Sequence, residues 1–357
     1  MPIPRTEPDP LAQAVASYPQ LDGADAEIEP LGRGLINLTY RIRARDAEYV
    51  LQRVSAIFDP AIHHNICAVT RRLARAGLPT PELLDSNQGR PWLDLGPGGV
   101  WRLMTLVEGA GVDVVQSLAQ AHSAGALVAS FHRALDGMDH PFAGLRLGVH
   151  DTAQHLEQLR SSLATLHEHR LHADVAELGT AILDAAARLP PMPELAPRVC
   201  HGDLKLNNLL FADSVAPGRD RAVCLIDLDT VGPMPLGWEL GDAWRSWCNP
   251  GGENQASAQF DLEIFRASWL GYAAGLGREP TADERRALLL GVEWVSLELC
   301  ARFAADALRE RYFGWDATRF RGRGEHNLVR ARGQWAVHQA AVSCRSSRAE
   351  LLGVAAC

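Results

Sequence analysis

The sequence predicts an α+β chain in two lobes, a small β-rich lobe over residues 1–108 and a larger, mainly helical lobe over residues 109–357. Three observations predict it. Runs rich in β-branched and aromatic residues, some strictly alternating, fill 27–54 and recur at 100–107, with one helical pattern between them. From 110 onward apolar residues instead recur at spacings of three and four. That helical texture is interrupted once, at 198–228, by short apolar strands, and there the polar residues gather.

Taken in order, residues 1–25 are rich in Pro and Asp and read as a short arm or a first helix. Thr39–Arg43 alternates, and Tyr49-Val50-Leu51-Gln52-Arg53-Val54 is built of strand formers. Residues 61–76 read as a helix that stops at Gly77, with Pro79 and Pro81 beyond it. Val100–Val107 is the next strand and ends at Glu108-Gly109, where the lobes divide. Leu127, Phe131 and Leu135 open the helical half, and 150–189 holds two helical stretches closed by Leu189-Pro190-Pro191. Leu262, Phe265, Trp269, Tyr272 and Leu276 make a core-facing stripe. Thr281 followed by Glu284 is a capping box, because the threonine side chain and the glutamate satisfy each other's backbone donors. The last helical stretch covers 325–342, and the tail beyond it has no readable pattern.

Composition excludes several classes. With 47% hydrophobic and 22% charged residues the chain is an ordinary globular protein. Its formal net charge of -8 argues against nucleic acid or an anionic membrane as partner. The N-terminal residues lack the basic-then-apolar order of an export signal, and no run approaches the roughly 20 apolar residues of a membrane span. The seven cysteines are widely spaced without a CxxC, which implies reduced thiols and a cytoplasmic setting. His167, His169 and His172 are spaced so that they share no helical face, and they read as solvated rather than metal-binding. A GxxxxGK[ST] phosphate loop and a GxSxG nucleophile elbow are both absent.

The chemistry concentrates in Val199-Cys200-His201-Gly202-Asp203-Leu204-Lys205-Leu206-Asn207-Asn208-Leu209-Leu210-Phe211, followed by Cys224-Leu225-Ile226-Asp227-Leu228-Asp229-Thr230. An apolar strand delivers Asp203 into a loop, a second leaves from Asn208, and a third ends at Asp227. Three polar side chains thus stand at strand ends, where they can converge. Phosphoryl transfer calls for this set. Its transition state is loose, so a protein mainly positions groups and neutralises charge. One carboxylate, Asp203, orients an acceptor hydroxyl and takes its proton, while an amide oxygen and a second carboxylate, Asn208 and Asp227, hold Mg2+ against the phosphates of ATP. The protein-kinase loop H-R-D-x-x-x-x-N has the same spacing, and Asp227 stands where the D-F-G aspartate would.

Together the HGDLxxxN and IDxD motifs resemble the aminoglycoside phosphotransferase and choline kinase superfamily. The resemblance implies a protein-kinase-like bilobal fold. Leu31–Tyr40, Tyr49–Val54, Asn65, Val69-Thr70, Ile226–Thr230, Arg302-Phe303, Tyr312-Phe313 and His326-Asn327-Leu328 with Arg330-Ala331-Arg332 look further like N-acetylhexosamine 1-kinases, so that the similarity spans roughly 27–340. On that resemblance the 32–40 turn, with Gly32, Gly34, Asn37 and Thr39, covers the ATP phosphates, Arg53 takes the place of the phosphate-binding lysine, and Thr105 to Val107 offer backbone groups to adenine. The kinase lysine is normally paired with a helix glutamate, but 60–81 contains no Asp or Glu, which leaves Arg53 without its partner. Lys205 is read either as a point charge on the transferred phosphate or as a solvated side chain. Asp229 either touches the metal or orients the site. Asp242 and Arg245, three apart on one helix, read as an ion pair that supports the catalytic loop.

For the acceptor, segment 300–333 carries eight arginines against four acids. A polycationic antibiotic would meet repulsion there, and a neutral N-acetylated sugar would not. Arg302 and Tyr312 are the candidate sugar contacts; the alternative is a surface charge and a core tyrosine. The expected activity is ATP-dependent phosphorylation of the anomeric hydroxyl of N-acetylglucosamine or N-acetylgalactosamine. Another small alcohol as acceptor, or a nucleotide-binding pseudokinase, are the other readings.

Overall fold

The computed structural model describes residues 9–23, 25–32, 37–146, 148–212 and 220–356. Gly34 of the expected phosphate turn lies outside them. The chain divides into two compact units, one spanning Met1–Glu108, Gly137–Arg146 and Leu228–Val231, the other Gly109–Asp136, Leu147–Asp227 and Gly232–Cys357.

The first unit starts with helix α1 (Pro10–Ala16), capped by the Asp9 carboxylate on the Leu11 N–H. Strands β1 (Glu27–Pro30), β2 (Leu38–Ala44) and β3 (Ala47–Val54) follow, then helix α2 (Ile62–Arg75) and strands β4 (Leu83–Leu84), β5 (Leu93–Asp94) and β6 (Val100–Thr105). They form one antiparallel sheet in the order β1-β2-β3-β6-β4, with β5 paired to β6. Alternation along each strand sorts its side chains between two faces. Ile42, Ala44, Leu51, Trp101 and Leu103 pack with Ala14, Tyr18 and Leu21 in one core. The residues between them on β3 and β6, Gln52 and Arg102, therefore face the other way.

Helix α2 buries Ile62, Ile66, Val69 and Leu73, spaced for one face, and Gly77 beyond its end takes the left-handed φ of 76°. His63, also on α2, is fully buried and stacks on Trp92 at 5.4 Å. Its Nδ1–H donates to the Pro60 carbonyl at 2.7 Å, and its Nε2 is buried with no partner among the described residues. Burial therefore pushes the ring down to about 4. The folded pKa lies below the unfolded one of about 6.5, so the unfolded chain binds the extra proton first. This contribution to stability is complete above pH 6.5 or so and is lost as the pH falls toward 4. We expect a loss on the order of 2–3 kcal/mol from this residue between pH 7.5 and 4.5. Denaturant titrations at the two pH values check it, because His63→Leu should show a smaller difference between them than wild type.

The second unit begins with β7 (Ala110–Gly111) and helices α3 (Leu118–Leu135), α4 (Thr152–Thr165) and α5 (His172–Arg188). The short strands β8 (Arg198–Cys200), β9 (Leu209–Phe211), β10 (Ala222–Leu225) and β11 (Gly232–Met234) come next. Helices α6 (Leu236–Trp247), α7 (Leu262–Gly275), α8 (Ala282–Arg309), α9 (Arg323–Ser343) and α10 (Arg345–Leu352) complete it. His167 and His169 lie on the turn between α4 and α5, not on a helix, and His169 Nε2 sits 3.0 Å from Glu310 Oε1.

Helix α8, opened by the Thr281–Glu284 capping box, packs against α4, α5, α6, α9 and α10 and carries much of the core. Its contact with α6 is backbone to backbone: a Cβ added at Gly291 would lie 2.1 Å from the Gly237 carbonyl oxygen. The tail without a readable pattern is α10. Arg345 and Arg348 on it both reach the Glu293 carboxylate, which is buried on α8, and so fasten the helix down. No described helix is long and apolar enough to cross a membrane.

Candidate active site

The second unit brings Asp203, Asn208 and Asp227 together. Strand β8 ends at Cys200, just before His201, and Gly202 turns the chain with a φ of 83°, a conformation that costs glycine little. His201 then fixes the loop from both ring nitrogens. Its Nε2–H donates to the Ile226 carbonyl at 2.8 Å, and its Nδ1 accepts the Asp203 N–H at 3.3 Å. Leu209 pairs with Leu225, and the Ile226 N–H continues that ladder by donating to the Asn208 carbonyl at 2.9 Å. Asn208 and Asp227 thus leave the same end of the β9–β10 ladder. Asn208 Nδ2 donates to the Asp203 carbonyl at 2.8 Å and to Asp203 Oδ2 at 3.3 Å. Its Oδ1, the atom able to ligate a cation, has no partner among the described residues. Asp227 is exposed and holds a φ of 64°, which is rare and strained for a residue with a side chain.

Lys205 Nζ lies 3.0 Å from Asp203 Oδ2, so in this structure it meets the carboxylate. Burial raises the Asp203 pKa and the charge of Asp242 adds to this, while Lys205 opposes both. Burial would depress Lys205, but Asp203 and Glu253 together hold it above its ordinary value. One oxygen of Asp203 is occupied by Lys205 and Asn208. The other is left for a hydroxyl. An amide oxygen and an exposed carboxylate at one ladder end also form a donor set of the all-oxygen kind that suits a hard divalent cation.

Helix α6 runs along this loop and supports it. Glu239 accepts the His201 and Gly202 N–H groups at 2.8 and 2.9 Å. Ser246 Oγ accepts the Leu206 N–H at 3.5 Å, and Trp247 Nε1 donates to the Leu204 carbonyl at 2.8 Å. Arg245 is buried and bridges Asp242, at 2.7 Å, to Glu253, at 3.0 Å. Burial would raise Glu239, but the hydrogen bond from His132 and the backbone donors hold its carboxyl below the ordinary range. Burial also lowers His132, which stays neutral with Nε2 3.4 Å from Glu239 and Nδ1 accepting the Tyr272 hydroxyl at 3.0 Å. His132, Cys200 and Glu239 bring ligand atoms within 4.8 Å of one another, but the histidine and the glutamate are fully committed to these bonds. Sequence reasoning missed Glu239; its signal was an acid among apolar residues at the helix turn before Asp242.

The first unit contains a second polar network, and it involves residues expected to bind nucleotide. Thr39, Gln52 and Arg102 stand opposite one another on β2, β3 and β6. Gln52 Nε2 donates to Thr39 Oγ1 at 3.0 Å, and Gln52 Oε1 accepts from Arg102 Nε and Nη2 at 2.9 and 2.7 Å. Arg102 Nη1 pairs with Asp229 Oδ1, and Asn37 Nδ2 donates to Asp229 Oδ2 at 2.9 Å. Asn37 Oδ1 accepts the Ser55 N–H at 2.9 Å. Burial would raise Asp229, but Arg102 and Asn37 hold it below its ordinary value. Both Asp229 oxygens are therefore engaged within the first unit. In the first unit Arg102 is a buried cation with an acidic partner, and sequence reasoning did not single it out. Arg53, one residue after Gln52, points to the opposite face, where a Cβ on Gly99 would lie 2.7 Å from its Nε.

Gly32 takes a φ of 76°. The Thr105 and Leu106 N–H groups donate to the Glu82 and Glu48 carbonyls, and Val107 is the first residue of that run with its backbone uncommitted among the described residues.

Arg302 and Tyr312 are neighbours: the guanidinium lies 5.9 Å from the Tyr312 ring centre and 5.6 Å from that of Phe313. Tyr312 is 54% exposed. Asp306 holds this loop by accepting the N–H groups of Arg311, Tyr312 and Phe313. Several arginines of 300–333 are engaged structurally, Arg309 with Ser162, Arg330 with Asn254 and the Gly314 carbonyl, and Arg332 with Asp174. The surplus of positive charge is thus partly absorbed by the fold.

A sequence model of the phosphotransferase enzyme family matches residues 27–274. Among solved structures, a microcompartment-associated aminopropanol kinase is similar at a TM-score of 0.64 with 19% identity, over 95% of this chain and 97% of its own. A choline/ethanolamine kinase family protein from Mesorhizobium loti gives 0.55 with 19% identity, over 93% and 99%. An amicoumacin kinase in complex with AMP-PNP and Ca2+ gives 0.60 with 13% identity, over 92% of each chain. At these identities the likeness shows a shared kinase-like α+β fold.

Proposed function

Because the chain belongs to the phosphotransferase enzyme family, it is a small-molecule phosphotransferase, and from that premise we propose that it transfers the γ-phosphoryl group of ATP to the anomeric hydroxyl of an N-acetylhexosamine. The observation that carries the chemistry is the carboxylate of Asp203, held by Lys205 and Asn208 through one oxygen and open at the other. An acceptor hydroxyl donates to that open oxygen. As the hydroxyl oxygen bonds to the γ-phosphorus, the bond from phosphorus to the β,γ-bridging oxygen breaks, ADP leaves, and Asp203 takes the proton. Lys205 opposes the effect of burial on Asp203 and places a positive charge beside the reacting groups. Asn208 Oδ1 and the Asp227 carboxylate would hold Mg2+, which when bound neutralises phosphate charge. Gly32 and Val107 remain the nucleotide contacts best supported by their backbone geometry.

The choice of a sugar rests on the matches over 31–54 and 302–332 and on the Arg302–Tyr312 pair. The second reading is an amino alcohol acceptor; the similar aminopropanol and choline/ethanolamine kinases motivate it. A coupled assay for ADP release over a panel of N-acetylglucosamine, N-acetylgalactosamine, ethanolamine and choline separates the two. The methyl glycoside of the preferred sugar should be inert, because its anomeric oxygen is blocked. Efficient phosphorylation of that glycoside would remove the anomeric assignment.

A further inference from the structure

Trp238 and His150 take no part in the chemistry above, yet they stand next to it. Trp238 is one helical turn before Asp242 on α6 and so shares its face. Trp238 also directly precedes Glu239, whose carboxylate accepts the His201 and Gly202 N–H groups of the Asp203 loop. The two rings stack at 5.1 Å with 15° between their planes. His150 Nδ1 lies 3.0 Å from Oε1 of Glu298, a fully buried carboxylate that also accepts the Thr152 hydroxyl at 2.6 Å. This fixes the proton on Nδ1 and leaves Nε2 as an acceptor. Among the described residues nothing pairs with His150 Nε2 or with Trp238 Nε1. The buried tryptophans differ: the ring N–H groups of Trp244, Trp247 and Trp269 all donate within the protein.

The ring nitrogens decide what the pair can receive. An ammonium group only donates, so it could use His150 Nε2 but not the indole N–H, whereas a hydroxyl both donates and accepts and can use both. We propose that Trp238 and His150 form the acceptor platform and that it takes a neutral hydroxylated ring, a pyranose. The indole covers the apolar face of the ring, and Nε2 of His150 and the indole N–H bond its hydroxyls. This inference rests on the phosphotransferase reading for its chemistry, but its binding can be measured apart from turnover.

The test combines steady-state kinetics with calorimetry, using N-acetylglucosamine, N-acetylgalactosamine and ethanolamine as probes. Trp238→Ala should raise KM for the preferred sugar by at least about tenfold, leave KM for ATP and the melting temperature unchanged, and recover most of the loss as Trp238→Phe. His150→Ala should act in the same direction. An unchanged sugar KM in Trp238→Ala, or a higher kcat/KM for ethanolamine than for either sugar in wild type, overturns the platform. If no acceptor releases ADP, the phosphoryl-transfer reading fails by itself. Calorimetry then decides the platform: sugar binding by wild type that is lost in Trp238→Ala upholds it, and no sugar binding by wild type overturns it.

Discussion

Asp203→Asn is expected to lower kcat by about 10²–10⁴-fold, the range of a lost general base, while nucleotide affinity stays within about threefold of wild type. The substitution keeps the shape of the side chain and removes its ability to take a proton. The loop should survive it, because His201, Glu239 and Trp247 hold backbone groups and do not depend on the Asp203 carboxylate. Single-turnover kinetics and calorimetric titration with ADP would separate the two effects. Near-normal turnover would remove Asp203 from the role of base. A pH profile adds a signed test. The acid limb of kcat/KM reports a base that must be ionised, and burial places it above the ordinary aspartate range. Lys205→Ala removes the opposing charge, so its acid limb should move to still higher pH.

Arg102→Met is expected to destabilise the first unit by about 3–5 kcal/mol, the usual loss when one partner of a buried ion pair is removed. The side chains of Arg102 and Asp229 are each only 2% exposed. Without the guanidinium, Asp229 keeps only the Asn37 amide, and Gln52 loses both donors to its carbonyl oxygen. Denaturant unfolding should show the loss. The double substitution Arg102→Met with Asp229→Leu should recover much of it, since the uncompensated charge is then gone. Equal instability of single and double variants would mean that the rest of the network, and not the charge pair, carries the effect.

Much of the fold was legible because its signals are local. The alternating β2 and β3 runs, the helix stopping at Gly77, the Thr281–Glu284 cap and the α7 stripe are each written within a few residues, and each forms. Helix α10 was not legible, since what holds it is Glu293, some fifty residues away in the chain, reaching two arginines of a stretch without pattern. The HGDLxxxN and IDxD motifs were legible for the same reason as the helices: short strands on either side fix where Asp203, Asn208 and Asp227 emerge.

By itself the sequence determined the kinase-like α+β fold, the phosphotransferase family and the polar set at the ends of β8, β9 and β10. Only the tertiary structure decided how those residues are held and which cation is paired. It matched Arg102, not Arg53, with an acid, because alternation along β3 and β6 puts Gln52 and Arg102 on one face and Arg53 on the other. It gave Glu239 the backbone of the Asp203 loop and, among the described residues, left Trp238 and His150 each with an open ring nitrogen. The physical reason is range. Propensity and spacing act between neighbours in the chain, whereas a buried charge is satisfied by whatever the fold brings within about 3 Å of it.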